Sequence, residues 1–387
     1  MNVLMLSGDK KILSTESAFR SRVLSYAKRV DSITIFVKGI KNEYPTQNQS
    51  VSLPIGLKKN TYSLFKATGK EIILCDNAKV IVSGTNNKFL SYINILIKSL
   101  FFLYFEHSKR KNYIITAQDP FLYGFVAILL SRIYNVPTEI QVHTDINRAT
   151  NGFRKWVMFF ARYSLSRANS IRAVSQKVKE CIILINPLFE SKTYILPIAI
   201  TKFEPMLSSF KKKEKIILIV SRLEKEKNIQ YAIRFFRSIL DRTDGVSLRI
   251  AGDGSMRKKL EQLTYKYGVS DKVRFLGHVD NIASEYSKAT FLLHTAEFEG
   301  FGMVFIEAGL CALPIVSTDV GIAREVGAVI INKDNLVSGE ILLLLTDERT
   351  WQKKSSEIQA KVELFKMKEE DYSEKIVENW KRTLKRR

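Results

Sequence analysis

The stretch Glu297–Val326 (EFEGFGMVFIEAGLCALPIVSTDVGIAREV) holds the densest set of chemically useful residues. Glu299 and Glu307 stand with seven residues between them, and Gly300-Phe301-Gly302 form a tight connection into a helix that starts near Gly302. The first N–H groups of a helix have no partners inside it and carry partial positive charge. Aimed at a ligand, they bind an anion, phosphate above all. Glycines there let backbone come close to that ligand. A carboxylate accepts hydrogen bonds from two adjacent hydroxyls. Two carboxylates beside an anion site therefore suggest a ligand with both phosphate and polyol parts, a sugar nucleotide. A second element, Ser221-Arg222-Leu223 followed by Lys227-Asn228, ends the apolar run KIILIV and places two cations in one turn. Arg offers phosphate a planar fork and Lys a point charge. A third, Ala251-Gly252-Asp253-Gly254-Ser255, has the glycines of a strand-to-helix turn but Arg257 where a dinucleotide fingerprint has its third glycine. It reads as a plain turn, not a nicotinamide site. His143 closes the run IQVH, and Asp145 lies two residues on, where a side chain at a strand end can point the same way. No Asp-x-Asp cluster follows a strand, so no metal is expected.

These residues need strand ends to hold them, and the chain supplies an alternation of strand and helix. Strands are expected at 3–7, 32–37, 113–116, 138–143, 170–173 and 193–196, with helices near 15–29, 120–133, 151–168 and 175–185. Pro197, Pro205 and the run Lys211-Lys212-Lys213 mark a boundary. The alternation restarts at 215–220, with a helix from about Ile229. Further strands are expected at 247–251, 273–276, 289–294, 314–317 and 328–331. Alternation of this kind predicts an α/β fold of two doubly wound, Rossmann-like parallel sheets. Such sheets bind ligands at the carboxyl ends of their strands, so a crevice between the two halves is the expected site. Residues 40–70 are polar and irregular and receive no assignment. Tyr372, Ile376 and Trp380, spaced by four, give the charged tail helix a packing face.

The 387 residues are 45% hydrophobic and 26% charged, the composition of a globular chain of two or three domains. The net charge of +22 predicts anionic partners. The excess is concentrated: residues 1–200 hold 28 Lys and Arg against 12 Asp and Glu, a net of +16. No basic-aromatic motif accompanies it, so no nucleic-acid partner is expected. Cys75, Cys181 and Cys311 fit neither a disulfide framework nor a zinc spacing and are expected as reduced thiols in a cytosolic protein. Residues 89–105 (FLSYINILIKSLFFLYF) are nearly all apolar, but Ser91, Asn94 and Lys98 share one helical stripe. They predict an amphipathic helix packed in a core. It could also give part of its face to an anionic bilayer, helped by Lys109-Arg110-Lys111.

The EGFG…E pattern, the S-R-L…K-N turn and the A-G-D-G turn together resemble the retaining glycosyltransferases of family 4, with the two-domain GT-B fold. Arg222, Gly252, Gly277, Glu299 and Glu307 stand in the family's order. ITAQDPFLYGF, IQVHTD and IRAVSQKVKE are similar to members that build bacterial surface polysaccharides. The resemblance implies an acceptor-binding domain over 1–200, a nucleotide-sugar-binding domain over 201–366, and a helix over 367–387 that packs back on the first. It implies that Glu299 holds hydroxyls of the donor sugar and Glu307 the ribose. Arg222 and Lys227 would hold the diphosphate. Backbone groups of Phe301, Gly302, Met303 and Val304 would complete that cradle, with Gly254 in the neighbouring turn. Val279 would meet the base through its backbone. His143 matches a histidine beside the donor sugar, with Asp145 near it. The implied reaction needs no cofactor: a hexose passes from a nucleotide sugar to a glycan or lipid-linked glycan, and the basic first half together with residues 89–105 places that reaction at the cytoplasmic membrane face. A nucleotide-sugar epimerase of the same fold is the rival enzyme, and a basic nucleic-acid-binding protein, suggested by the net charge of +22, is the rival from another class. Departures from the family pattern are the loop SGDKKILSTESAF, with Gly8 alone where paired glycines are usual, Ala312 for a glycine, and Ile198-Ala199 and Thr201 for Asn-Gly and Asp.

Overall fold

The computed structural model describes residues 1–39, 71–85, 87–107, 112–146, 154–200, 203–210, 214–331 and 337–386. The unassigned stretch 40–70, the basic run 109–111, Thr201 and the lysines 211–213 lie outside them. The chain divides into two compact units, one of Met1–Val174, Lys179–Leu196 and Met367–Arg387, the other of Ser175–Val178 and Pro197–Lys366.

The sheet of the first unit runs β3(Glu71–Cys75)-β4(Ala78–Val82)-β2(Ser32–Val37)-β1(Asn2–Ser7)-β5(Tyr113–Ala117)-β6(Thr138–Val142)-β7(Ser170–Ala173)-β8(Thr193–Ile195). All neighbours are parallel except β3 with β4. Central strands such as NVLMLS are buried along their whole length. This follows from helices on both faces of a parallel sheet, which remove the inside–outside alternation. Helices α1(Ala18–Ala27), α2(Lys88–His107), α3(Leu122–Tyr134), α4(Arg154–Arg167) and α5(Gln176–Ile185) make the crossovers. Ser17 caps α1 by accepting from the Phe19 and Arg20 amides.

Helix α2 is amphipathic, as its sequence stripe predicts, but the polar stripe faces inward. Ser91 and Lys98 are buried, and Lys98 Nζ donates to the Val82 carbonyl (2.8 Å) and the Ser83 carbonyl (2.9 Å). Those carbonyls end β4 and need donors, so the ammonium goes to them. Leu90, Ile93, Ile97, Phe101 and Tyr104 are left exposed instead.

The second unit's sheet is wholly parallel, in the order β11(Val273–Gly277)-β10(Val246–Ala251)-β9(Lys215–Val220)-β12(Phe291–His294)-β13(Ile315–Ser317)-β14(Val329–Ile330). Around it lie α6(Ile229–Leu240), α7(Arg257–Lys266), α8(Ile282–Lys288), α9(Met303–Leu310), α10(Gly339–Thr346) and α11(Glu348–Glu363). Helix α6 buries Ile229, Ala232, Ile233, Phe236 and Ile239, a stripe at helical spacing, against Ile217, Ile219, Leu248 and Ile250 of the sheet. With both α/β units built this way, the fold is of the GT-B type.

The last helix, α12(Glu369–Lys385), belongs to the first unit. It buries Tyr372, Ile376 and Trp380. Trp380 meets Tyr26 of α1 edge-on at 5.5 Å, and Ser373 donates to Ser25 (2.7 Å).

Candidate active site

Three neighbouring strands of the second unit, β10, β9 and β12, end at one level: Ala251 pairs with Val220, and Leu292 pairs with Leu218. The three motifs singled out in the sequence are the loops that leave those ends. Backbone contacts lock the first two loops together. The Leu223 amide donates to Asp253 O (2.9 Å) and the Met256 amide to Leu223 O (2.9 Å). Gly252 has φ +129°, and a Cβ there would lie 1.9 Å from the Ser221 carbonyl oxygen, so only glycine fits. At Gly254 a Cβ would lie 2.6 Å from the Leu223 carbonyl oxygen. These glycines allow two turns to touch, which is what the A-G-D-G pattern does here.

The third loop is tied to the first. The Glu297 amide donates to Glu226 O (2.9 Å), and Thr295 Oγ1 donates to the carbonyls of Lys227 (3.3 Å) and Asn228 (3.2 Å). The side chains follow: Lys227 Nζ and Glu299 Oε1 form an ion pair, with only 14% and 19% of the two side chains exposed. His294 Nε2 lies 3.6 Å from the same Glu299 oxygen. The ring is buried edge-on against Phe305 (4.9 Å), and its Nε2 has no hydrogen-bond partner among the described residues. Burial first, and the Lys227 cation second, lower its pKa from 6.5 to about 3, so the imidazole is neutral. Arg222 is exposed and reaches Glu226 at 3.2 Å.

After Glu299 the chain turns through Gly300, whose carbonyl accepts from Ser175 Oγ (2.7 Å), to Gly302. Gly302 has φ +89° and begins α9, with no side chain capping the helix. Phe301 is buried, and Met303 and Val304 are half-buried in the first turn. The uncapped N–H groups give this end its affinity for negative charge. Glu307, one turn further along α9, accepts a hydrogen bond from the Tyr286 hydroxyl of α8 (2.9 Å). Burial raises the Glu307 pKa, and the bond from Tyr286 opposes that shift. Val279 is half-buried just after β11, whose last residue, Gly277, accepts from the Gly252 amide (2.6 Å).

The structure therefore brings Lys227, Glu299, Gly254 and the start of α9 onto one edge of one sheet, with Arg222 in the same turn. His143 and Asp145 follow β6 in the first unit and are half-buried there. His143 Nε2 lies 3.2 Å from Gln141 Oε1. Burial, then the Arg172 and Arg22 cations, lower its pKa from 6.5 to about 3. The sequence motifs single out neither Tyr286 nor His294. Nothing in the spacing links Tyr286 to Glu307, which is 21 positions away. Among the described residues no group of three or more His, Cys, Asp or Glu could hold a metal ion.

Residues 203–337 match the family described as "Glycosyl transferases group 1". That stretch contains every candidate residue of the second unit. An uncharacterized glycosyltransferase of Methanocaldococcus jannaschii is 33% identical over 221 residues, covering 52% of this chain and 56% of that one. The chain thus spans about half the length of that relative. The capsular polysaccharide biosynthesis glycosyltransferase CapM of Staphylococcus aureus is 26% identical over 304 residues, 73% of this chain and 76% of CapM. Among solved structures, HepE of Anabaena in complex with UDP and glucose superposes with a TM-score of 0.68 at 15% identity, covering 99% and 100% of the two chains. The likeness in structure extends over both units. The match to the group 1 glycosyltransferase family lies within the second, as do Lys227, Glu299 and Glu307.

Proposed function

We propose that this protein is a retaining glycosyltransferase. It moves a hexose from a nucleotide sugar to a glycan or lipid-linked glycan in cell-surface polysaccharide synthesis. The observation that carries the reading is the Lys227–Glu299 pair, set beside the uncapped start of α9 and the Glu307 carboxylate. Diphosphate, sugar hydroxyls and ribose hydroxyls each find a matching group there. CapM, with a capsular role in its name, supports the choice of product class.

In the reaction the bond from sugar C1 to phosphate oxygen breaks, and its electron pair leaves with the nucleoside diphosphate. The sugar becomes positive and the diphosphate more negative. In this reading Arg222, Lys227 and the first N–H groups of α9, all on loops or a helix start at the ends of neighbouring strands, meet that negative charge. They stabilise the transition state more than the ground state and need no metal to do so. The acceptor hydroxyl oxygen bonds C1 on the face the phosphate left, and its proton goes to the departing phosphate oxygen. Glu299 holds sugar hydroxyls and stays ion-paired to Lys227. Glu307 gains the ribose hydroxyls beside that of Tyr286. His143, on the first unit, serves the donor sugar, with Asp145 near it, and the backbone at Val279 meets the base. A thermal-shift screen of UDP-, GDP-, ADP- and TDP-sugars tests this. One donor should stabilise the protein and fail to stabilise Glu299→Ala. A donor whose shift persists in that variant would remove Glu299 from the site.

The acceptor side of the proposal is a membrane surface, reached from the cytoplasm. Leu90, Ile93, Ile97, Phe101 and Tyr104 of α2 are 38–65% exposed. At 3.6 residues per turn they fall within an arc of about 80°. No helix among the described residues is long and apolar enough to cross a bilayer. A continuous apolar stripe on a unit rich in Lys and Arg fits an anionic bilayer surface. Liposomes with anionic lipid should float the protein at low salt, and Ile97→Glu with Phe101→Glu should abolish this. Failure of the unaltered protein to float would overturn the membrane assignment.

A further inference from the structure

The first unit buries a chain of polar groups that ends at His143. Glu139, in the middle of β6, is fully buried. Four donors converge on its carboxylate: Thr116 Oγ1 (3.1 Å), Gln141 Nε2 (3.1 Å), Tyr194 OH (2.5 Å) and Trp380 Nε1 of α12 (3.0 Å). Gln141 Nε2 also donates to Thr116 Oγ1 (3.1 Å), so both its protons have acceptors. On its other side, Gln141 Oε1 accepts from Arg172 Nη1 (3.1 Å). The Arg172 guanidinium is itself fixed: Nε and Nη2 donate to Leu196 O (3.1 Å each), and Nη2 lies 2.5 Å from the Tyr372 hydroxyl of α12.

This arrangement settles which way the Gln141 amide points. Reversed, it would set its NH2 against the guanidinium and its carbonyl against the carboxylate, losing two hydrogen bonds and creating two donor–donor or acceptor–acceptor clashes. Inside a buried site each such group bears its full desolvation cost with no bond to offset it. The carbonyl oxygen therefore faces Arg172, and the same oxygen lies 3.2 Å from His143 Nε2. An acceptor there requires a proton on Nε2. In a neutral ring that leaves Nδ1 with a lone pair.

We propose that Glu139, Gln141 and Arg172 are positioning residues that hold His143 as the Nε2–H tautomer, so that Nδ1 is the atom presented to a donor-sugar hydroxyl as an acceptor. The second half of this statement rests on the transferase reading above; the first half does not. Helix α12 takes part through Trp380, which donates to Glu139. It thereby links the chain's last helix to the state of one imidazole.

Nuclear magnetic resonance of the full-length protein with nitrogen-labelled histidine tests the tautomer directly. The sequence holds four histidines, and His143→Asn identifies the signal. At neutral pH the ring should show a protonated Nε2 and an unprotonated Nδ1. A protonated Nδ1 in the unaltered protein would overturn the proposal whatever the variants do. Gln141→Leu should lose the preference and lower kcat by about tenfold, the worth of one oriented hydrogen bond, with donor KM within about twofold. Tyr372→Phe spares the Arg172–Gln141 bond and should keep the tautomer, so a lost preference there would also count against the chain. An Nε2–H ring in a protein that transfers no sugar would uphold the positioning and remove the transferase reading. Sugar transfer by an Nδ1–H ring would do the reverse.

Discussion

Replacing Lys227 by Met and Glu299 by Gln, singly and together, separates what the pair does for the fold from what it does for a ligand. With 14% and 19% of the two side chains exposed, each charge depends mainly on the other. Removing one partner of a fully buried pair costs about 3–5 kcal/mol. The residual exposure here lowers that to about 2–4 kcal/mol. Glu299→Gln leaves an ammonium facing a neutral His294, and Lys227→Met leaves a carboxylate facing the same ring. For a unit of this size a loss of 1 kcal/mol lowers Tm by about 2–4 °C, so each single variant should melt about 4–16 °C lower. The double variant has no uncompensated charge. It should be more stable than the sum of the singles by about 1–3 kcal/mol. Differential scanning calorimetry gives the four values. Nucleotide-sugar binding should follow another pattern: lost in both singles and not restored in the double. Strictly additive melting losses would refute the pairing, and a donor-induced shift surviving in the double variant would refute the site.

Acid should weaken both units through their neutral histidines. His143 and His294 have folded pKa values lowered from 6.5 to about 3, so the unfolded chain takes up protons that the folded one refuses. Stability is then complete above pH 6.5 and falls as pH drops toward 3, by about 1.4 kcal/mol per pH unit for each histidine. Melting curves at pH 7, 6 and 5 should show this, with a shallower fall in His294→Asn; an equal slope in the variant would contradict the burial argument. Gly252→Ala should cost about 3 kcal/mol or more, because the added methyl meets the Ser221 carbonyl at 1.9 Å. Gly268→Ala, also left-handed (φ +62°) but with nothing within 4 Å of the new atom, should cost about 1–2 kcal/mol. Equal losses in urea unfolding would show that the turn after β10 yields to the methyl.

The parts of the molecule that can be read from sequence are those whose physics is local. Strands such as Lys215–Val220 and Ser32–Val37 stand out because burial on both faces makes them continuous apolar runs. The loops at 222–227 and 299–307 stand out because glycines and charges at strand ends have few other uses. The hairpin of β3 and β4 is not legible in the sequence. Its outer strand is an edge with Ile73 exposed, so its apolar pattern does not report a buried face. Helix α2 shows its period but not its orientation, since Lys98 is drawn inward by carbonyls that end another element. The pairings that fix the chemistry are also not local. Lys227 meets Glu299 72 positions later, and Glu139 meets Trp380 241 positions later. Spacing along the chain does not report such contacts.

The central claim is that the edge built from Lys227, Glu299, Glu307 and the start of α9 holds a nucleoside diphosphate. Titration calorimetry of UDP, GDP, ADP and TDP against the unaltered protein, Lys227→Met and Glu307→Gln measures this without an acceptor. One nucleotide should bind the unaltered protein, and each variant should weaken it by about ten- to a hundredfold, the worth of one charge-assisted hydrogen bond. A nucleotide that binds all three proteins equally, or none that binds any, would contradict the claim.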